Sequence, residues 1–256
     1  MDVLHMDLLR YGILSTGYKG AEVQELQMIL SGFNGGIPDG DFGPKTEQQV
    51  KLFQRDYMGE EQPSGVVGRN TIEGLLQFSK DYPLDFDVLR CPCGECDGFG
   101  NGRYRGKYRE GKPRIERYNM HEYPGIHKIT LWTYKAMRFY IERKGLFEAM
   151  SITSGYRCSI RNDQKHRTST NHHGKALDCQ YACPSGKRME IHNTIRNIAV
   201  DKNNCQLGWA TLNKKALEPE SIAPTWIHLD CRGFGAEYRE DHFFVKSEEA
   251  LIRMLV

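Results

Sequence analysis

A loop rich in glycine followed by a helical pattern occurs twice near the amino terminus, and this repeat limits the possible folds most strongly. The longer loop covers residues 35–46 and the shorter one residues 64–71. Glycines in such loops allow left-handed turns, and Phe42 can fill a small core. Apolar side chains and a glutamine recur at helical spacing around the loops, at Val23, Leu26, Gln27, Leu30, Val50, Phe53, Gln54, Ile72, Leu75 and Leu76. The repeat predicts a small helical unit.

The order of these positions resembles the small three-helix peptidoglycan-binding domain that accompanies many cell-wall hydrolases. The likeness covers about residues 8–80 and includes the pairs Asp39-Gly40, Phe42-Gly43 and Val67-Gly68. It implies a wall-binding module whose partner is bacterial peptidoglycan. Most of the matching residues are core and turn positions, so they indicate the fold and do not identify the surface that contacts glycan.

Length and charge narrow the classes of protein further. A chain of 256 residues exceeds the usual size of one domain, so we predict two, at residues 1–82 and 83–256. The formal net charge of +2 at pH 7 is too small to predict nucleic-acid binding, which needs a concentrated basic face. The sequence has no long apolar run for membrane insertion, and its start lacks the pattern of a secretory signal. We expect a soluble monomer that stays in the host cytoplasm until another component releases it to the cell wall.

The number and spacing of the cysteines allow a metal site. Eight cysteines without an export signal favour free thiols or metal ligands over a disulfide framework. Cys91, Cys93 and Cys96 place three thiols within one turn that can wrap a soft metal ion, but no fourth ligand is obvious. A structural zinc site and a loop of free thiols both remain open.

The second half of the chain predicts an α+β fold. Helices are expected at residues 126–144, 187–200 and 247–255, the last capped by Ser247. Strands are expected at residues 150–157, 177–183, 207–210 and 225–232. Because strands and helices do not alternate strictly, we predict an antiparallel sheet covered by helices on one face.

Two histidines and an aspartate stand out as metal ligands. Alternation along a strand puts His228 and Asp230 on one face. Asp178 opens or lies within another strand, and His172 sits on the preceding loop, where Gly174 allows a close approach. Imidazole and carboxylate are ordinary zinc ligands, and three protein groups leave one position for water. We expect no such role for His121, His127, His166, His192 and His242.

Three segments resemble the signatures of the zinc-dependent D-Ala-D-Ala carboxypeptidase and peptidoglycan endopeptidase family, whose fold is shared with the amino-terminal signalling domain of hedgehog proteins. The segments are Ser154-Gly155-Tyr156-Arg157, Ser169 through Asp178, and Trp226-Ile227-His228. The likeness spans about residues 90–245 and implies Zn²⁺ held by His172, Asp178 and His228. It also implies that Arg157 binds the substrate carbonyl and steadies the oxyanion, and it suggests that Ser169 holds a substrate carboxylate or backbone.

The histidine signature departs from the usual family pattern by one position. Asn171 occupies the place of the family histidine, and His172 lies six rather than seven positions before Asp178. A loop one residue shorter can still deliver His172. His173 is the alternative ligand.

The general base is also displaced from its usual position. Many relatives have an acidic residue three positions before the last histidine, where this chain has Thr225. Glu218 in the preceding loop is the first candidate, and Glu220 is a weaker one. Asp230 can act as the base or as a partner that fixes an imidazole.

Together these resemblances imply a modular, endolysin-like peptidoglycan hydrolase, in which zinc-activated water cleaves an amide bond of a wall peptide. One alternative is a D,D-carboxypeptidase that trims terminal D-alanine. A second is a non-catalytic wall-binding or virion structural module with a structural zinc. A third is an amidase that uses Cys158 or Cys179 as its nucleophile.

Overall fold

The computed structural model describes residues 12–100, 121–145, 150–200 and 217–256. Helices and small antiparallel sheets combine in these ranges, which confirms the predicted α+β class. The strand expected at residues 207–210 lies outside the described ranges. None of the described helices combines the length and apolarity needed to cross a bilayer.

Three helices form the amino-terminal part: α1 at Ala21–Ile29, α2 at Pro44–Asp56 and α3 at Arg69–Asp81. Pro44 occupies the first turn of α2, where its fixed φ suits a helix and its missing N–H costs no hydrogen bond. The helices enclose aromatic side chains, and Phe33, Phe53 and Phe78 are buried within 6 Å of one another by ring centroid.

Two buried glutamines explain why the loop-and-helix pattern repeats. Gln27 accepts the N–H of Gly40 at 2.8 Å, and Gln54 accepts the N–H of Gly65 at 2.9 Å. Each glutamine also donates to the threonine near the start of the following helix. Gly40 and Gly65 have φ values of 76° and 73°, in the left-handed region that favours glycine. Each repeat is therefore a glycine turn anchored to a buried amide.

A three-stranded antiparallel sheet forms the centre of the remaining chain. Its strands are β2 at Met150–Ser154, β3 at Ala176–Tyr181 and β4 at Ile227–Asp230, in the order β2-β3-β4. All three are shorter than predicted, and β2 ends in an irregular register after Ile152. Asp178 pairs with Ser154 on one side and with His228 on the other. The middle strand thus carries Asp178 between Ser154 and His228, two residues of the sequence motifs.

Two helices pack against this sheet. Helix α5 spans Lys128–Arg143 and contacts β4, whereas α7 spans Arg188–Val200 and contacts β3. Trp132 in α5 is completely buried, as a core residue should be. Both helices begin within two residues of their predicted starts.

Short elements complete the fold. Helix α4 covers Phe86–Leu89, α6 covers Ser159–Gln164 and α8 covers Glu248–Ile252. Strand β1 at Ile126–His127 pairs with β5 at Phe244–Val245. The side chain of Ser247 accepts the N–H of Ala250 at 3.2 Å, which confirms the predicted cap of the last helix.

The three amino-terminal helices pack directly on α5. Lys128 forms a buried ion pair with Glu25 at 2.8 Å, and Ser31 lies 3.0 Å from Thr133 between their hydroxyl oxygens. Lys135 is fully buried. Its ammonium group donates to the carbonyl oxygens of Ser79 and Tyr82, in and just after α3, and to the carboxylate of Glu248. One hydrophobic cluster continues from the first helices to the end of the chain. The division at residue 82 stays a prediction.

Candidate metal centre

The register of β3 and β4 places Asp178 beside His228. Oδ1 of Asp178 lies 2.6 Å from Nδ1 of His228. His228 is almost fully buried, whereas the carboxylate of Asp178 keeps one-fifth of its exposure. Asp178 is therefore the member of this pair that keeps contact with solvent.

His172 approaches the same carboxylate from the loop before β3. Its Nε2 lies 3.2 Å from Oδ2 of Asp178, and its Nδ1 lies 2.7 Å from the carbonyl oxygen of Gly155. A carbonyl can only accept, so Nδ1 carries the proton and Nε2 presents its lone pair toward Asp178. Gly174 allows this approach because its φ is 100° and a Cβ there would lie 2.4 Å from the carbonyl oxygen of Gly125.

The second ring nitrogen of His228 has an acidic partner. Nε2 of His228 lies 2.8 Å from Oδ2 of Asp230, a fully buried carboxylate. Arg232 holds Asp230 through its backbone N–H at 2.9 Å and through its guanidinium. Each imidazole therefore has one nitrogen fixed by an oxygen and the other directed at Asp178, which is the arrangement that orients zinc-bound histidines.

The charge states of the group suit a divalent cation. Burial opposes the charge of Asp178, but the interactions with His172 and His228 outweigh it and hold the pKa of Asp178 well below its usual range. Burial lowers the pKa of His172, so this ring is neutral near pH 7. Burial also acts against a charged His228, yet the hydrogen bonds to Asp178 and Asp230 raise its pKa to about 9. The two carboxylates thus favour positive charge at this position.

Ligand atoms of His172, Asp178 and His228 all lie within 4.8 Å of one another. Two imidazoles and one carboxylate are a common protein donor set for a catalytic zinc ion, which keeps a further position for water. The donor set and its oriented rings fit such an ion. His173 is directed elsewhere, because its Nε2 lies 3.2 Å from the side-chain amide of Asn162.

Arg157 lies beside this group. Its backbone N–H donates to the carbonyl oxygen of His172 at 2.8 Å. Its Nε is buried and has no hydrogen-bond partner among the described residues. Burial lowers the pKa of Arg157, and the charge of Asp178 opposes that effect. The site therefore contains a cationic side chain whose Nε has no hydrogen-bond partner among the described residues.

Ser169 is exposed at the start of the histidine loop. Its hydroxyl oxygen accepts the N–H of Asn171 at 3.4 Å, and its carbonyl oxygen accepts from Asn162 at 2.8 Å. These bonds belong to the loop itself, so the hydroxyl remains accessible on the surface.

Glu218 and Asp230 both lie on the Nε2 side of His228. Oε1 of Glu218 is 4.0 Å from that nitrogen and accepts from Arg232 at 2.7 Å. An isolated bridge between Leu217 and Leu229 holds Glu218 next to β4. The weaker candidate Glu220 instead accepts from Asn193 of α7 at 2.6 Å. The sequence motifs do not include Arg232, although it stands only two residues after Asp230.

Two comparisons with known proteins agree with this description. Residues 19–75 match the family described as "Putative peptidoglycan binding domain". The chain is 25% identical over 173 residues to the zinc D-Ala-D-Ala carboxypeptidase of Streptomyces albus G, a match that covers 65% of this chain. The matched region spans 60% of the length of the Streptomyces albus G protein. Both resemblances drawn from the sequence motifs are thereby confirmed.

Proposed function

We propose that this protein is an endolysin-like zinc peptidase that cleaves amide bonds in the peptides of bacterial peptidoglycan. The observation that carries the proposal is the convergence of His172, Asp178 and His228 within 4.8 Å. In each imidazole, the nitrogen that does not face Asp178 is held by an oxygen atom. The side chain of Asp178 remains partly exposed. A peptidoglycan-binding family at residues 19–75 supports the cell wall as the place of action.

In this proposal, His172, Asp178 and His228 hold the zinc ion. When bound there, zinc supplies Lewis acidity, which polarises an amide carbonyl and makes water a better nucleophile near neutral pH. The chain's own groups provide orientation and proton transfer. The guanidinium of Arg157, which is only partly buried, donates to the substrate carbonyl oxygen and stabilises the negative charge that grows on it.

Three further residues complete the proposed site. Glu218 accepts the proton of the attacking water, since its Oε1 lies 4.0 Å from Nε2 of His228 and is not hydrogen-bonded to that ring. Asp230 orients His228 through Nε2. Ser169 offers an exposed hydroxyl to a carboxylate or backbone group of the wall peptide.

The second candidate function is a D,D-carboxypeptidase that releases terminal D-alanine. It is favoured by the name of the similar Streptomyces albus G protein. Purified wall incubated with the enzyme separates the two activities by mass spectrometry of the products. New amino groups at cross-links or within stems support the endopeptidase, whereas free alanine without loss of cross-links supports trimming.

The amidase alternative gains no support from the described thiols. Cys179 is fully buried in β3, and burial raises its pKa well above that of an ordinary thiol. The neighbour of Cys158 is another thiol rather than an imidazole. Neither cysteine therefore has the base that an activated nucleophile needs.

The test of the proposed function is the His228→Ala variant, compared with His242→Ala as a control at an exposed histidine. We expect His228→Ala to lose hydrolysis of wall suspensions while it still sediments with the wall through the amino-terminal helices. A chelator should stop the wild type, and added zinc should restore it. Full hydrolysis by His228→Ala would overturn the proposal, and wall binding without any hydrolysis in the wild type would favour a non-catalytic module.

The remaining expectations about the protein's setting are part of the same proposal. We infer a monomer that acts on peptidoglycan after release from the host cytoplasm. Sedimentation of the purified chain tests the first statement. Lysis timing in cells that express the chain with and without a membrane pore tests the second.

A further inference from the structure

Four thiols meet in a group that shares no residue with the His172, Asp178 and His228 group. Cys91, Cys93 and Cys96 lie in the turn after α4, and Cys158 is the residue before α6. Their sulfur atoms all lie within 4.8 Å of one another. We propose that these four side chains form a second metal site, a structural zinc centre with Cys158 as the fourth ligand.

The sulfur distances agree with shared coordination rather than with a disulfide. Sγ of Cys91 lies 3.5 Å from Sγ of Cys158, far beyond the roughly 2.05 Å of an S–S bond. Two sulfurs bound to one tetrahedral zinc at about 2.3 Å lie ~3.8 Å apart. All four cysteines are free thiols in the structure.

Backbone N–H groups already point at three of the sulfurs. Glu95 donates to Sγ of Cys93 at 3.3 Å, and Arg161 donates to Sγ of Cys158 at 3.4 Å. The N–H of Cys158 donates to Sγ of Cys91, also at 3.4 Å. Such donors stabilise the negative charge of thiolates, which is the form that binds metal. These hydrogen bonds therefore favour the thiolate form of the cysteines in this loop.

Two glycines give the turn its shape. Gly94 and Gly98 have φ values of 78° and 97°, and a Cβ on Gly94 would meet nothing within 4 Å. The requirement at Gly94 is therefore conformational rather than steric. The N–H of Cys91 donates to the carbonyl oxygen of Gly98 at 2.7 Å and closes the loop. This closure folds three cysteines around one point without any regular secondary structure.

The ligand chemistry selects the metal. Four thiolates form a soft donor set that suits zinc and excludes calcium and magnesium, which take oxygen ligands. A centre with four protein ligands leaves no position for water or substrate, so its role is structural. The other described cysteines, Cys179, Cys183 and Cys231, are outside this group.

The centre would fix the segment that carries Arg157. Cys158 follows Arg157 directly, and the N–H of Tyr156 donates to the carbonyl oxygen of Leu89 at 2.8 Å, two residues before Cys91. Zinc between Cys91 and Cys158 therefore clamps this segment at a second point. The positioning of Arg157 depends on the proposed function, whereas the metal site itself does not.

The experiment loads the full-length His228→Ala variant with Co²⁺ and, separately, with Zn²⁺. We expect one tightly held ion per chain and the intense thiolate-to-cobalt charge-transfer absorption of a tetrahedral cysteine site. Wild type should hold two ions and show the same absorption. Cys158→Ser should lose the absorption, while Cys183→Ser, at a thiol outside the group, should keep it.

Several results would overturn the second centre. One is a His228→Ala protein that is folded by circular dichroism but binds no metal and shows no thiolate absorption. Another is a Cys91–Cys158 disulfide in the purified protein. If the wild type shows thiolate absorption but holds only one ion, the cysteine centre stands and the proposed catalytic site fails. The spectra of wild type and His228→Ala keep the test valid even when Cys158→Ser does not fold.

Discussion

Replacing Asp230 by asparagine separates the orientation of a ligand from catalysis. Asp230 is completely buried, and its Oδ2 lies 2.8 Å from Nε2 of His228. Asparagine keeps the shape and one carbonyl acceptor but removes the negative charge. That charge helps to raise the pKa of His228 to about 9, so the variant makes the imidazole less basic.

The expected loss of zinc affinity follows from the hydrogen bond between Asp230 and Nε2 of His228. Removing the carboxylate partner of a metal-bound histidine lowers metal affinity about 10- to 100-fold. This corresponds to roughly 1.4–2.7 kcal/mol of binding free energy. We therefore expect the zinc Kd of Asp230→Asn to rise by that factor, with kcat largely retained at saturating zinc. Glu218→Gln should show the opposite pattern, with unchanged zinc affinity and kcat lowered about 10²- to 10⁴-fold, because it removes the proposed base.

The assay measures zinc affinity by competition with a coloured chelator and hydrolysis of a wall peptide at saturating zinc. Asp163→Asn is the matched control, since that carboxylate is exposed on α6. Intact zinc affinity with abolished turnover in Asp230→Asn would make Asp230 the base and refute its orienting role. Wild-type behaviour in both assays would remove Asp230 from the site.

Two further predictions concern Arg157 and His127. Arg157→Lys should lower kcat/KM about 10²- to 10³-fold with unchanged zinc content, because lysine lacks the planar N–H donors proposed to hold the oxyanion; steady-state kinetics with metal analysis checks this, and unchanged kinetics contradicts it. Burial lowers the pKa of His127 from 6.5 to about 4, and the neutral ring accepts the N–H of Ile129 while it bonds to the carbonyl oxygen of Tyr238. The unfolded chain then binds more protons than the folded one between pH 6.5 and 4, so the free energy of unfolding should fall as pH drops through this window, by at most about 3 kcal/mol. Urea denaturation across this range should show a weaker pH dependence for His127→Asn than for wild type, and equal slopes would refute this explanation.

Local patterns predicted the parts of the fold that depend on neighbours in sequence. The amino-terminal helices were recognisable because the same turn and helix recur, and the structure explains the recurrence by Gln27 and Gln54. The cap at Ser247 was also readable, because a serine before an acidic first turn is a local signal. Strand ends were less accurate, since the irregularity after Ile152 depends on pairing with β3.

Contacts between distant segments were harder to predict. His172, Asp178 and His228 were found through their surrounding motifs, and their function as ligands stays a prediction. Nothing in the sequence near residue 91 points to Cys158, because the two cysteines meet only after the sheet and α6 have formed. The roles proposed for Glu218 and Asp230 likewise depend on Arg232, whose guanidinium contacts both carboxylates.

The segment 155–158 links the two proposed metal centres physically. The carbonyl oxygen of Gly155 fixes His172, and the N–H of Arg157 donates to the carbonyl oxygen of the same histidine. Cys158 then enters the thiol group. Because residues this close in sequence cannot shift independently, loosening the cysteine centre should disturb Arg157 and His172 together. A damaged cysteine centre would therefore lower turnover and weaken zinc binding at the histidine site, whereas loss of His228 would leave the cysteine centre intact.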